Sequence, residues 1–179
     1  MKTVESMIED IIAAHPDLYL EHCAVMAVAL MSRKSLKPYE FMVTCEGLNL
    51  SSNVEKSLLL RVSWDEFTAA KAHRMWQTEQ RKAIAERAAV ALGALLFAKL
   101  VPEAKMRVTR LGERADFWLP RLQCALEVSG TESHSELSRR HREKIVQVLS
   151  NPLQWNAHVI VCCFDAPHGY IEWSYHEQE

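Results

Sequence analysis

Apolar and polar positions alternate with two different periods along this chain, and the changes of period mark its elements. Over residues 3 to 14, Val4, Met7, Ile8, Ile11 and Ile12 recur at helical spacing with acids between them, and His15-Pro16 closes the segment, which predicts a short amphipathic helix. Three apolar runs follow at 22–33, 38–47 and 56–64, separated by SRKSLKP and NLSSNVE, which have turn composition. They predict a three-strand meander, with a helix as the alternative for the Ala-rich first run. Ser63 opens Ser-Trp-Asp-Glu, a capping-box pattern, and from Asp65 to Leu100 the chain has no Pro and one Gly. Two helices, or one long helix broken near Thr78, fill that region.

The second half is more regular. Ile84, Ala88, Ala91, Leu92, Leu95 and Leu96 line one helix face, and Pro102 follows the helix end. Residues 106–111 read as a strand, Gly112-Glu113 as a turn, 114–119 as a second strand, Pro120-Arg121 as another turn and 123–129 as a third strand. Ser133 to Glu136 repeats the capping-box pattern before a helix through Leu149 that stops at Asn151-Pro152. Residues 158–164 are nearly all apolar and β-prone, the pattern of a strand covered on both faces, and 170–175 alternate as a final edge strand would. The order is α-β-β-β-α-β with a trailing strand, an α/β fold. The organisation expected is an N-terminal helix and three-strand extension (1–70) followed by a core (71–179), packed as one compact unit.

Composition narrows the class. With 49% apolar and 25% charged residues and few Gly or Pro, 179 residues suit an ordered chain that buries a core without metal or disulfide support. A formal charge of -2 argues against a globally basic coat for nucleic acid and leaves room for a local basic patch. The five cysteines form no CxxC pair and four lie in apolar strand-like runs, so they are expected to be buried and reduced, with Cys162 and Cys163 pointing to opposite faces of one strand. Glu5, Glu9 and Asp10 interrupt what would be the apolar core of a signal peptide, and no run is long enough to span a membrane, so the expected location is cytoplasmic. The apolar content of the meander also suggests a dimerisation platform, hence a homodimer as one assembly.

Chemistry concentrates in Ala115 to Ser133. Asp116 and Glu127 are acids inside apolar strand-like runs, where a carboxylate needs a partner, a metal or water. Alternation sets Asp116 and Trp118 on one face of their strand, and Ala125, Glu127 and Ser129 on one face of the next. If the hairpin aligns the two acids, like charges lie a few Å apart, an arrangement that a hard divalent cation relieves. On these residues and this element order the segment from about 79 to 175 resembles the PD-(D/E)XK nuclease superfamily, whose fold is restriction-endonuclease-like. The resemblance implies Mg²⁺- or Mn²⁺-dependent hydrolysis of phosphodiester bonds, with DNA as the partner, Asp116 and Glu127 as metal ligands, and Glu86, or alternatively Glu79, as a third acid.

The chain departs from that pattern at Ser129, where the family has Lys. Some members place the lysine on a neighbouring helix, and the basic helix after residue 133 offers Arg140, His141 and Lys144 as replacements. Lys144 lies about 10 Å up that helix from Leu137, so Arg140 and His141, nearer Gly130, are expected to reach the site more easily. Structural readings compete with each residue. Asp116 would pair with Arg114 or an arginine of the helix, Glu127 with Arg140 or Lys144, and Glu86 with a neighbouring base such as Lys82 or Arg87. His141 would be a satisfied core histidine, and Trp118, Trp155 and Trp173 core aromatics rather than base-stacking platforms. Two functions follow: a divalent-metal-dependent nuclease acting on DNA, and a catalytically silent member of the same fold that binds nucleic acid or protein.

Overall fold

A computed structural model of the chain describes residues 1–34, 37–48, 56–109 and 115–178. The elements run β1 (Lys2–Met7), α1 (Asp10–Ala14), α2 (Glu21–Lys34), β2 (Tyr39–Glu46), β3 (Ser57–Ser63), α3 (Glu66–Thr78), α4 (Arg81–Leu100), β4 (Arg107–Val108), β5 (Phe117–Leu119), β6 (Cys124–Thr131), α5 (His134–Leu149), β7 (Ala157–Cys163) and β8 (Gly169–His176). Among the described residues the strands join one eight-stranded mixed sheet in the order β1-β3-β2-β8-β7-β6-β5-β4. The pairs β1/β3, β2/β8 and β6/β7 are parallel and the rest antiparallel. The fold is therefore α/β, with five helices among the described residues.

The sheet separates two apolar clusters. One face carries Leu126, Val128, Ile160, Cys162, Ile171 and Trp173 against α2 and α4, with α3 packed outside on α2. The other carries Ala125, Val159, Val161 and Cys163 against Leu137 and Val148 of α5, which spans β6, β7 and β8. Cys162 and Cys163 thus point to opposite faces, and the five cysteines are free thiols. Among the described residues no helix is long and apolar enough to cross a membrane.

Three elements differ from the sequence reading. Residues 2–7, read as the start of a helix, form β1 instead, and only Asp10–Ala14 is helical. Pairing with β3 turns Val4 inward and sets Glu5 opposite Arg61, so tertiary pairing overrides an apolar spacing that fits either period. The first run of the meander is α2, the helical alternative given for it and not the strand: every residue from Ala24 to Met31 is buried, as in a helix covered on all sides, which has no polar face to reveal its period. Strand β8 is interior, since β2 pairs along it in parallel and makes β1 and β4 the edges.

Helix caps also differ. Asp65, not Ser63, caps α3 by accepting from the Thr68 amide at 2.6 Å, while Ser63 ends β3. Ser133 precedes α5 without a side-chain cap; its hydroxyl meets Ser135 at 2.8 Å, and Glu136 turns to Thr131. The break near Thr78 falls between α3 and α4 as expected. The predicted turns at 49–55 and Gly112-Glu113, the end of the strand at 106–111, part of the turn at 32–38, and Arg114 lie outside the described residues.

Gly130 fixes where α4 meets β6. A Cβ there would stand 2.0 Å from the Ala85 carbonyl oxygen, so only glycine lets the first turns of α4 approach the strand. Gly130→Ala should lower unfolding free energy by about 3 kcal/mol or more in urea titrations, at the upper end of overpacking costs; a change below about 1 kcal/mol would show that this approach is dispensable.

His158 sets an acid limit on stability. It is buried beneath Trp173, whose indole N–H donates to Nδ1 at 3.2 Å, and desolvation, helped by His176, pulls it down to about 3. Between that value and the ordinary histidine value the unfolded chain takes up a proton that the folded chain refuses, so stability is lost as pH falls through this window. His158→Gln keeps an acceptor and does not titrate. Between pH 6.5 and 5 the wild type should lose about 2 kcal/mol more than the variant in urea titrations, and parallel profiles would exclude His158 as the cause.

Candidate functional site

Strand β6 is buried at every position, yet its fourth residue is Glu127, 1% exposed. Pairing with β5 covers only Cys124 to Leu126, with Phe117 opposite Leu126; one step further the register sets Asp116 opposite Glu127. Beyond that point no strand among the described residues lies on the β5 side of β6, and side chains take its amides. Asp116 Oδ2 accepts from Val128 N at 2.9 Å, and Glu86 Oε2 on α4 accepts from Gly130 N at 3.2 Å. Two carboxylates thereby finish the hydrogen bonding of an edge that β5 leaves open.

The cations come from α5, which runs back antiparallel to β6. Glu136 accepts from the Thr131 hydroxyl at 3.1 Å at the start of the helix, and Lys144 Nζ donates to Glu127 Oε2 at 2.7 Å two turns on. Eight helical residues rise about 12 Å and four strand residues about 13 Å, so the two elements stay in step. Between them Arg140 donates to Glu86 Oε1 at 3.3 Å, to Glu136 at 3.2 Å and toward the Ser129 hydroxyl at 3.5 Å. Ser129 itself donates to Glu86 at 3.3 Å.

The structure thus brings Glu86, Asp116, Glu127, Arg140 and Lys144 together and leaves His141 outside. The imidazole of His141 faces β8, with Nε2 2.8 Å from Ser174 Oγ and Nδ1 2.9 Å from Glu172 Oε2. It is a satisfied, buried histidine. The expectation that Arg140 and His141 reach the acids more easily than Lys144 is corrected on two counts. The helix doubles back, so distance up it becomes distance back along β6, and His141 lies one residue past Arg140, on the side of the helix turned to β8. Glu79 is exposed at the end of α3, and Glu86 is the acid that reaches β6. Trp173 is core, packed edge-on against Phe97, whereas Trp118 and Trp155 are half-buried with ring centroids 4.7 Å apart. Sequence reasoning missed Glu136 and the role of Ser129; the i, i+4, i+8 spacing of Glu136, Arg140 and Lys144 was the available signal.

Electrostatics keep the proton on the lysine. Burial alone would draw Lys144 down, but the hydrogen bond and charge of Glu127, with Asp116 and Glu86 behind them, hold it above its ordinary value. Burial first, then the Asp116 charge, push the Glu127 carboxyl above its ordinary value against the pull of Lys144. An ammonium and a strained carboxylate therefore share one small space, with a second carboxylate opposite. Among the described residues no set of three or more His, Cys, Asp and Glu side chains is arranged to hold a metal ion. Two facing carboxylates do fit a cation of the Mg²⁺ kind, which binds through one or two carboxylates and completes its shell with water and phosphate oxygens.

No protein-family model, no curated protein and no solved structure matches this chain.

Removing Lys144 tests how the pair is balanced. Lys144→Met leaves a buried carboxylate without its cation and should cost about 2–3 kcal/mol, somewhat under the usual range because the lysine end reaches solvent. Adding Glu127→Gln should recover much of that loss. A single variant as stable as wild type, by urea titration at pH 7.5, would mean that water already satisfies Glu127.

Proposed function

We propose that the chain is a divalent-metal-dependent nuclease that hydrolyses phosphodiester bonds in DNA, built on a restriction-endonuclease-like core from α4 to β7 and acting in the cytoplasm. The observation that carries this reading is the Lys144 ammonium 2.7 Å from Glu127, opposite Asp116. It puts back, from the neighbouring helix, the positive charge missing at Ser129. Asp116 and Glu127 would hold Mg²⁺ or Mn²⁺, with Glu86 beside them. The bound metal would supply Lewis-acid stabilisation of the charged phosphorus centre and lower the pKa of a coordinated water.

The chain's own groups do the rest. Lys144, held protonated, orients the attacking water by donating to it and offsets charge that develops on the phosphate oxygens. Arg140 holds Glu86 against β6 through its contacts with Glu86 and the Ser129 hydroxyl. Burial of Glu127 under α5 lowers the dielectric around its carboxylate and strengthens its interaction with Lys144.

A specific observation favours a second reading, a catalytically silent binding module. Lys144 already neutralises Glu127, Arg140 already neutralises Glu86, and the amides of β6 use Asp116 and Glu86 as caps. A cluster so satisfied needs no metal to stand. The two readings separate on plasmid and single-stranded DNA in millimolar Mn²⁺ or Mg²⁺. The nuclease cuts at least one of them, loses activity in EDTA, and drops about 10²–10³-fold on Glu127→Gln or Lys144→Arg with the fold intact by circular dichroism. Intact DNA together with an unchanged melting temperature on adding Mn²⁺ would leave the binding module.

A further inference from the structure

We infer that the strand presented to the site is single-stranded, and that one of its bases stacks on the Trp118–Trp155 pair. The inference rests on the nuclease reading for its substrate class. Trp118 lies two residues from Asp116 on the same face of the hairpin, about 7 Å along the strand, which is the scale of one nucleotide step. Its ring leans on Trp155 at 4.7 Å with the planes 52° apart, and both indoles are half-buried, keeping part of their surface open to solvent beside the acids.

Two constraints select an unpaired strand. In a duplex each base face is already covered by its neighbours, so an indole can stack only on a base that has left the helix or never joined one. Glu127 is also recessed, 1% exposed beneath Lys144 of α5, while Asp116 beside it is exposed, so a phosphate that reaches both must come down toward the sheet. A flexible strand can do that more readily than a stiff duplex.

The test is fluorescence anisotropy of a fluorescein-labelled deoxythymidine oligomer, and of a blunt duplex of the same length, with the full chain in Ca²⁺, strand integrity being checked on a gel. The single strand should bind at least about tenfold tighter than the duplex and quench tryptophan emission. Trp118→Ala and Trp155→Ala should each weaken it by about tenfold, with Trp118→Phe recovering part of the loss. Duplex binding as tight as single-strand binding, or affinity unchanged in both Trp155→Ala and Trp118→Phe, overturns the inference, whether or not Trp118→Ala folds. Cleavage of duplex DNA in Mn²⁺ that is indifferent to both tryptophans would sink it while the nuclease reading stands. Capture of the oligomer through the tryptophans without any cleavage would do the reverse.

Discussion

A carboxylate in the middle of a strand that is buried along its whole length constrains the second half of this molecule. Glu127 on β6 has neighbours on both faces and both sides, and an unpaired charge there would cost several kcal/mol. The nearest ammonium arrives only if α5 doubles back over β6 soon after the strand ends. It does so across two residues, Glu132 and Ser133, with Thr131 accepting from Ser133 N and donating to Glu136 to hold the reversal. Register is then fixed twice more, by Arg140 at Glu86 and Lys144 at Glu127. The other long side of α5 is fixed by His141 and Ser138 on Glu172 of β8. The helix is thus pinned along both flanks by polar contacts, while Leu137 and Val148 fill the space beneath it.

The same strand explains why acids gather on its β5 side. Hairpin β5–β6 ends early, and β6 continues for five residues past Leu126 with amides that need acceptors. Asp116 and Glu86 supply them, the first from the end of β5 and the second from α4, which Gly130 allows to come close. An interrupted strand pair and a glycine contact thus place three carboxylates in a row. Asp116 links the two arrangements, since it completes the edge at Val128 N and also faces Glu127.

Much of this was legible in the sequence from Arg81 onward, where element order followed from period and punctuation. The facing of Asp116 and Glu127 followed from strand alternation and a short turn. What stayed hidden was long-range. Residues 2–7 fit a helix by spacing and became β1 because β3 was there to pair with. Residues 22–33 carry no polar face because α2 is covered all round, so their period had nothing to show. The final strand alternates like an edge and lies inside, since nothing in residues 169–176 announces that β2 will add beside it. Lys144 was measured from the wrong end: counted from Gly130 it is remote, and counted back along β6 it is the helix residue that meets Glu127.

Charge bookkeeping within the cluster bears on how such a site meets a phosphate. Glu86, Asp116 and Glu127 face Arg140 and Lys144, so three carboxylates stand against two cations held at close range, with Glu136 shared between Arg139 and Arg140. A phosphodiester approaching that set unaided meets net negative charge, and its attraction to Lys144 is already spent on Glu127. If Asp116 and Glu127 held a divalent cation, as proposed, it would offset the carboxylates and weaken the hold of Glu127 on the Lys144 ammonium. The strain that burial and Asp116 impose on Glu127 without a metal is the free energy that such a cation would relieve on binding. The ion pair with Lys144 is what balances Glu127 in this structure, and any cation proposed there has to compete with it.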